Sequence, residues 1–422
     1  MKVIKLIPLL LFFTIIINQS FSQTGWFKLY PNTTNYFTAL YFIGVDTGYI
    51  GTSSGTIQKT VNGGINWTQQ NSGSNQGVHS IHFLNSNTGY YTGTYGIVFK
   101  TVNGGNNWDS AYNLNTELFS IQFVNPNTGF TVSSQGMIYK TTNGGFSWLM
   151  QNSNFTEVLF SICFLDLNTG FVVGLNGKIL KTTNGGINWI SQTSNVTNLL
   201  RSVYFVDNNI GYISGSNIVL KTTNSGLNWN SNFIGNTLIS VHFENSNTGY
   251  LAGYNGSILK TTNGSTNWIS QASGTNSVLT NIFFSNSNTG YVVGGQFENS
   301  GIILKTTTGG EPIGIHLISS EIPKSFSLSQ NFPNPFNPRT KIRFSLPNPS
   351  KGGAQAVKLI VYDALGREVE TLVNEQLIEG TYEADWNAEK FSSGVYYYHI
   401  VIQSDKLKTE DYIGTKNMVL LK

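Results

Sequence analysis

The sequence predicts an all-β chain, a seven-bladed β-propeller followed by a small Ig-like β-sandwich, and three observations carry that prediction. The stretch Lys181 to Trp189, Lys-Thr-Thr-Asn-Gly-Gly-Ile-Asn-Trp, recurs at Lys59 to Trp67, Lys100 to Trp108, Lys140 to Trp148, Lys221 to Trp229 and Lys260 to Trp268, so the tryptophans step by 41, 40, 41, 40 and 39 residues. A fixed period of this size means an array of like units rather than one irregular core. Within each period, four apolar runs separated by turn residues read as a four-stranded meander. Beyond residue 310 the pattern changes: residues 24 to 310 hold ten Lys or Arg and eight Asp or Glu, residues 311 to 422 twelve and thirteen. The 422-residue chain therefore divides into two domains.

Residues 1–22 read as a secretory signal peptide. Lys2 and Lys5 form a basic start, Leu6 to Ile17 an apolar core, and Ser20 and Ser22 stand at small-residue cleavage positions, leaving Gln23 as the mature N-terminus. Losing the two lysines lowers the formal charge from +3 to +1, and a near-neutral chain has no bulk attraction for nucleic acid. No later stretch approaches the roughly 20 apolar residues that a membrane-spanning helix needs.

The propeller is expected over residues 23–310. In the fourth repeat the runs are Leu159 to Leu165, Gly170 to Gly174, Lys178 to Lys181 and Ile187 to Ser191. Their breaks, Leu-Asn-Thr-Gly at 167 to 170, Asn176-Gly177 and Asn184-Gly185-Gly186, suit chain reversal because Asn and Gly tolerate positive φ. A Gly-aromatic marker opens each second strand, at Tyr49, Tyr90, Phe130, Phe171, Tyr212, Tyr250 and Tyr291, which sets the number of blades. Trp26 lies 41 residues before Trp67, while the last repeat stops at Gly310 before any Trp. The N-terminal strand is thus expected to complete the seventh blade and remove an open sheet edge.

The motif Thr-x-Asn-Gly-Gly-x-x-Trp resembles the Asp-box, or BNR repeat, of sialidase-type propellers, and the array from 24 to about 310 resembles the propeller of photosystem II assembly and stability factors. The resemblance implies a structural hairpin between third and fourth strands, built on Asn62, Asn103, Asn143, Asn184, Asn224 and Asn263 with Trp67, Trp108, Trp148, Trp189, Trp229 and Trp268. Asn replaces the usual Asp at all six positions. Its amide oxygen accepts the same turn bonds, but calcium-type ligation loses the carboxylates it needs.

Sialidase chemistry, as that resemblance implies it, requires three arginines, and residues 24 to 310 hold only Arg201. Other glycoside hydrolases need two flanking carboxyl groups. Glu117 and Glu157 fall in equivalent loops of adjacent blades, with Arg201 opening the next inner strand, so these three are the candidate binding cluster and the two glutamates the candidate catalytic pair. Surface ion pairing is the alternative reading. His79 and His82 share one inner strand without a third metal ligand, so no metal or other cofactor is expected; His79 stays a candidate binding residue. Phe297 and Glu298, in the lengthened seventh repeat, are further candidates because an insertion on one blade breaks the ring's symmetry. Cys163 reads as a small buried apolar group. The recurrent lysines Lys59, Lys100, Lys140, Lys181, Lys221, Lys260 and Lys305 suggest stems laid over the box tryptophans with wet ammonium groups, rather than a polyanion site.

Residues 311–324 read as a linker, and 325–422 as the sandwich, with runs Lys341 to Leu346, Val357 to Tyr362, Val369 to Val373, Thr381 to Trp386, Val395 to Ile402 and Met418 to Leu421. Asn-Phe-Pro-Asn-Pro-Phe-Asn-Pro at 331 to 338, Val361 to Val369, Ser393 to Tyr398 and the terminal Met418 to Lys422 together resemble the type A sorting domain of type IX secretion substrates. The resemblance implies passage across the outer membrane of Bacteroidota-type bacteria, with the secretion machinery as partner. The expected role is an exported, non-enzymatic binding or scaffold module for a surface protein or glycan. A secreted glycoside hydrolase and an assembly factor for a membrane protein complex are the alternatives.

Overall fold

The computed structural model describes residues 25–422 apart from 32, 34, 297–299, 311–314, 320, 349–354, 378 and 404–411. The expected signal peptide, and Phe297 and Glu298, lie outside the described residues. Packing separates Thr24–Pro312 from Ile313–Lys422, and each unit is described by itself.

The first unit is a ring of seven four-stranded antiparallel blades. Blade 1 runs Phe37–Ile43, Thr47–Thr52, Ile57–Thr60 and Thr68–Gln70 from inside to outside, and blade 4 runs Leu159–Phe164, Gly170–Gly174, Ile179–Thr182 and Ile190–Gln192. The outermost strand begins after the box tryptophan, not at Ile187 as the sequence suggests. Ile187 stays exposed on the hairpin while Trp189 turns inward. Blades 5 and 6 share a single strand, Asn230–Phe243, which leaves the outside of one and becomes the inside of the next.

Blade 7 consists of Val278–Phe284, Gly290–Gln296 and Ser300–Gly310, with Gly25–Leu29 as its outermost strand. Phe27 pairs with Lys305 as Thr68 pairs with Lys59, so Trp26 stands where Trp67 stands in blade 1. The first strand of the ring is therefore held by its last blade.

Blades adhere through aromatic triplets. The marker aromatic of each blade stacks on the phenylalanine near the end of the next blade's inner strand, and that ring meets the tryptophan of its own blade edge-on. Tyr90 lies 3.6 Å from Phe123, which lies 5.9 Å from Trp148 at 86°; across the closure, Tyr291 lies 3.9 Å from Phe42, which meets Trp67. Each such ring pair contributes about 0.5–1.5 kcal/mol beyond area burial. The glycine of the marker is needed for contact: a Cβ on Gly170 would sit 2.7 Å from the Phe164 ring.

The box hairpin is a hydrogen-bond clasp. Thr182 Oγ1 donates to Asn184 Oδ1 and accepts from the Gly186 N–H, while Asn184 Oδ1 also accepts from the Asn188 N–H. An amide oxygen serves as well as a carboxylate here, which accounts for Asn at six boxes; in blade 7 the Thr308 hydroxyl takes the place, 3.4 Å from Thr306 Oγ1. The lysines correct the sequence reading. Each sits over the marker aromatic of its own blade, as Lys140 does 5.5 Å above Phe130, and not over the tryptophan. Its ammonium then donates to a carbonyl in the next blade's box: Lys140 to Gly185 at 2.7 Å, and Lys305 to Gly63 at 2.7 Å across the closure. The ammonium groups staple neighbouring blades.

In the second unit, two four-stranded antiparallel sheets share one core. One sheet is ordered Ile315–Ser319, Gly380–Asn387, Arg339–Leu346, Ser327–Leu328; the other Glu368–Leu377, Gln355–Tyr362, Gly394–Gln403, Tyr412–Leu420. Phe344, Tyr382 and Trp386 of the first pack with Leu359, Tyr398, Ile400 and Met418 of the second. Within the stretch expected to be linker, Ile315–Ser319 is a strand paired with Gly380–Asn387. The proline-rich segment joins the chain's end to this core. Phe336 is buried against Trp386 and exchanges backbone bonds with Val419 and Leu421, while Asn334 Oδ1 accepts from the Val419 N–H.

Candidate functional site

All seven inner strands carry a β-bulge after their first buried residue. The bulged residues are Thr38, His79, Phe119, Phe160, Arg201, Ile239 and Thr280, and each is half-buried. They form a ring at the mouth of the central channel, on the face opposite the box hairpins. The bulge also explains how His79 and His82, three residues apart, both turn toward blade 3. A regular strand would send them to opposite faces, yet His79 Nδ1 lies 3.1 Å from the Leu118 carbonyl and His82 Nε2 lies 3.1 Å from the Phe123 carbonyl.

Deeper in the channel, side chains occupy the inner backbone edge. Ser80, Ser120, Ser161 and Ser240 accept from the N–H groups of Ile121, Ile162, Val203 and Ile282 in the following blade. Gln122 donates to the Phe164 carbonyl and accepts from its N–H, and Tyr41 donates to the Phe83 carbonyl. Burial depresses His82 and His242 to about 4 and pushes the Cys163 thiol up to about 11, so these groups are neutral wall residues near pH 7.

The mouth is chemically lopsided. From blade 2 to blade 5 it is an arc of planar groups: His79 stacks on Phe119 at 5.4 Å and 8°, Phe119 lies 5.3 Å from Phe160, and the Arg201 guanidinium lies 4.3 Å over Phe160. Thr38, Ile239 and Thr280 complete the ring. Arg201 is held below the usual arginine range by burial, opposed by the nearby phenols of Tyr254 and Tyr36, and remains a cation at neutral pH. Its Nε is buried without a hydrogen-bond partner among the described residues.

The candidate residues are only partly brought together. Glu117 lies 3.7 Å from His79 Nε2; burial lowers the affinity of His79 for a proton, and Glu117 and the Leu118 carbonyl oppose that shift. Glu157 accepts instead from Asn176 Nδ2 at 2.6 Å in its own blade. Arg201 pairs with neither glutamate among the described contacts. No group of three His, Cys, Asp or Glu close enough to hold a metal is found among the described residues. Sequence reasoning passed over Phe119 and Phe160, because aromatics in a strand read as core, and over Tyr36 and Tyr254, which belong to loops. Aligning the inner strands on Ser80, Ser120, Ser161, Ser202 and Ser240, with Ala39 and Asn281 at the same place in the other two, is the signal that would have found the two phenylalanines.

The family model described as photosynthesis system II assembly factor YCF48 matches residues 18–154 and 147–238, together more than half of the chain. The model for the secretion system C-terminal sorting domain matches residues 330–413. No curated protein matches the sequence. Among solved structures, YCF48 bound to D1 peptide is 18% identical with a TM-score of 0.57, covering 67% of this chain and 97% of that one. YCF48 from Cyanidioschyzon merolae is 18% identical with a TM-score of 0.56, covering 67% and 98%. The WD40 propeller domain of Doa1 is 10% identical with a TM-score of 0.54, covering 67% and 97%. At these identities the likeness is one of fold.

Proposed function

The chain belongs to the family of photosynthesis system II assembly factor YCF48, and from that premise we propose that it is an exported, non-enzymatic binding module that engages a protein or glycan at the mouth of its channel. The sorting-domain match supports secretion or cell-surface export, with the type IX machinery as the partner that reads the C-terminal unit. One observation carries the binding reading: the half-buried Arg201 guanidinium, 4.3 Å over the Phe160 ring at the mouth and without an ion pair among the described residues.

The partners of the glutamates favour binding over hydrolysis. A hydrolase needs one protonated and one ionised carboxyl across the scissile bond, whereas Glu117 faces His79 and Glu157 faces Asn176. A second reading, an assembly factor acting on a membrane protein complex, draws support from the family and from the relative solved with a D1 peptide; the sorting tail directs it to a complex outside the cytoplasm. The test is incubation of the mature protein with a panel of polysaccharides and surface proteins, assaying retention and reducing-end release together. Retention without release is expected. Release abolished by Glu117→Gln or Glu157→Gln would establish the hydrolase instead.

A further inference from the structure

The mouth's chemistry selects among ligands. It offers one guanidinium, with no ion pair to Arg201 among the described residues and only phenols bearing on its charge. His79, at the other end of the arc, is disfavoured as a cation by burial. A single positive charge with a planar donor fork matches a carboxylate better than a phosphate or sulfate dianion, which calls for a second cation. Beside it, the half-buried Phe119 and Phe160 offer apolar ring edges, and the smaller Thr38 and Thr280 stand on the remaining arc.

The rest of the mouth separates a sugar from a polypeptide. A polypeptide bound in a sheet-lined channel would add its backbone to a free strand edge. That edge is engaged: N–H groups of Ile121, Ile162, Val203 and Ile282 donate to serines of the preceding blade, and the carbonyls of Leu118, Phe123 and Phe164 meet His79, His82 and Gln122. What remains for a ligand is the Arg201 donors and the edges of Phe119 and Phe160, with exposed, uncharged amides at Asn113, Asn115, Asn152, Asn154 and Asn195 in the segments that lead into the inner strands. A carboxylated pyranose fits such a surface, its carboxylate on the guanidinium, its hydroxyls toward the amides and its C–H groups against the phenylalanine edges.

We propose that the mouth is a subsite for a carboxylated sugar, a uronate unit of an extracellular polysaccharide, with its carboxylate on Arg201 and its ring against Phe119 and Phe160. This deepens the binding reading above and rests on it. The test is calorimetric titration of the mature protein with trimers of galacturonate and of mannuronate, with their methyl esters, with a neutral glucose trimer, and with a short peptide bearing a free C-terminal carboxylate. At least one free-acid trimer should bind, and its methyl ester should bind at least tenfold more weakly. Arg201→Gln should weaken the acid at least tenfold, Arg201→Lys should recover part of that, and Asp166→Asn, in a turn on the opposite face, should change nothing. Because Arg201 Nε has no partner to lose, Arg201→Gln should keep the wild-type thermal midpoint within a few degrees; circular dichroism checks this. Equal binding of acid and ester, indifference to Arg201→Gln, or no binding of either acid overturns the uronate assignment. Binding of the peptide or the neutral trimer in place of the acids would also overturn it while leaving the broader binding reading intact.

Discussion

Replacing Trp26 with alanine removes the aromatic that completes blade 7. Trp26 is 2% exposed, meets Phe284 edge-on at 5.8 Å and donates through Nε1 to Gln271 Oε1 at 3.1 Å. A buried Trp→Ala change costs about 3–5 kcal/mol, of which the ring pair accounts for about 0.5–1.5 and the hydrogen bond for a similar amount. For a domain of this size that lowers the thermal midpoint by about 6–20 °C at about 2–4 °C per kcal/mol. Trp229→Ala is the comparison, since Trp229 is 4% exposed, packs on Phe205 at 6.0 Å and directly precedes the strand Asn230–Phe243, which continues into the next blade. Both variants should lose similar free energy in urea unfolding followed by far-UV circular dichroism. Only Trp26→Ala should also free the strand Gly25–Leu29, exposing the edge of Ser300–Gly310 and promoting concentration-dependent association. An unfolding free energy of Trp26→Ala within about 1 kcal/mol of wild type, or no difference in association between the two variants, would show that this strand does not hold the ring closed.

Other expectations concern the staples, the clasp and the channel wall. Lys140→Met keeps the stem over Phe130 but removes the bond to the Gly185 carbonyl, and should cost about 1.5 kcal/mol in urea unfolding, the lower end for a charged hydrogen bond. Asn184→Asp retains the oxygen that accepts from Thr182 and Asn188, so it should stay within about 0.5 kcal/mol of wild type, whereas Asn184→Ala should lose about 1–2 kcal/mol. His82 and His242 are depressed from 6.5 to about 4 by burial. The unfolded chain therefore binds their protons more readily, and the stability is complete above pH 6.5 and lost as pH falls toward 4, by about 3 kcal/mol for each histidine. His82→Gln, which copies Gln122 in the next blade, should flatten part of that acid limb in a pH series of urea midpoints. Deleting residues 400–422 should strand the protein in the periplasm, as surface labelling of intact cells and fractionation would report.

The ring was legible because its information is periodic: the tryptophan spacing fixed the blades, and Trp26 one period before Trp67 foretold the closure. The lysines were misread for a physical reason. Their partners, such as Gly185 for Lys140, lie 45 residues away in the next blade, and reading one hairpin at a time points to the tryptophan instead. The candidate site was half legible. A lone arginine stood out against a chain poor in charge, and it does reach the mouth, but the aromatic arc beneath it depends on a bulge that no local residue preference announces. Glu157 was grouped with Arg201 by alignment of loops, yet Asn176, brought near by the turn of its own blade, takes its carboxylate.

Hydrogen–deuterium exchange on the mature protein, with and without a saturating polysaccharide or protein found by the retention panel, tests most directly whether function sits at the channel mouth. Binding at the mouth should protect the loops leading into Leu118, Leu159 and Leu200 and the turn carrying Tyr254, and Arg201→Gln should abolish that protection. Protection confined to the box hairpins around Asn62 to Asn66 and Asn184 to Asn188, on the opposite face, would contradict it.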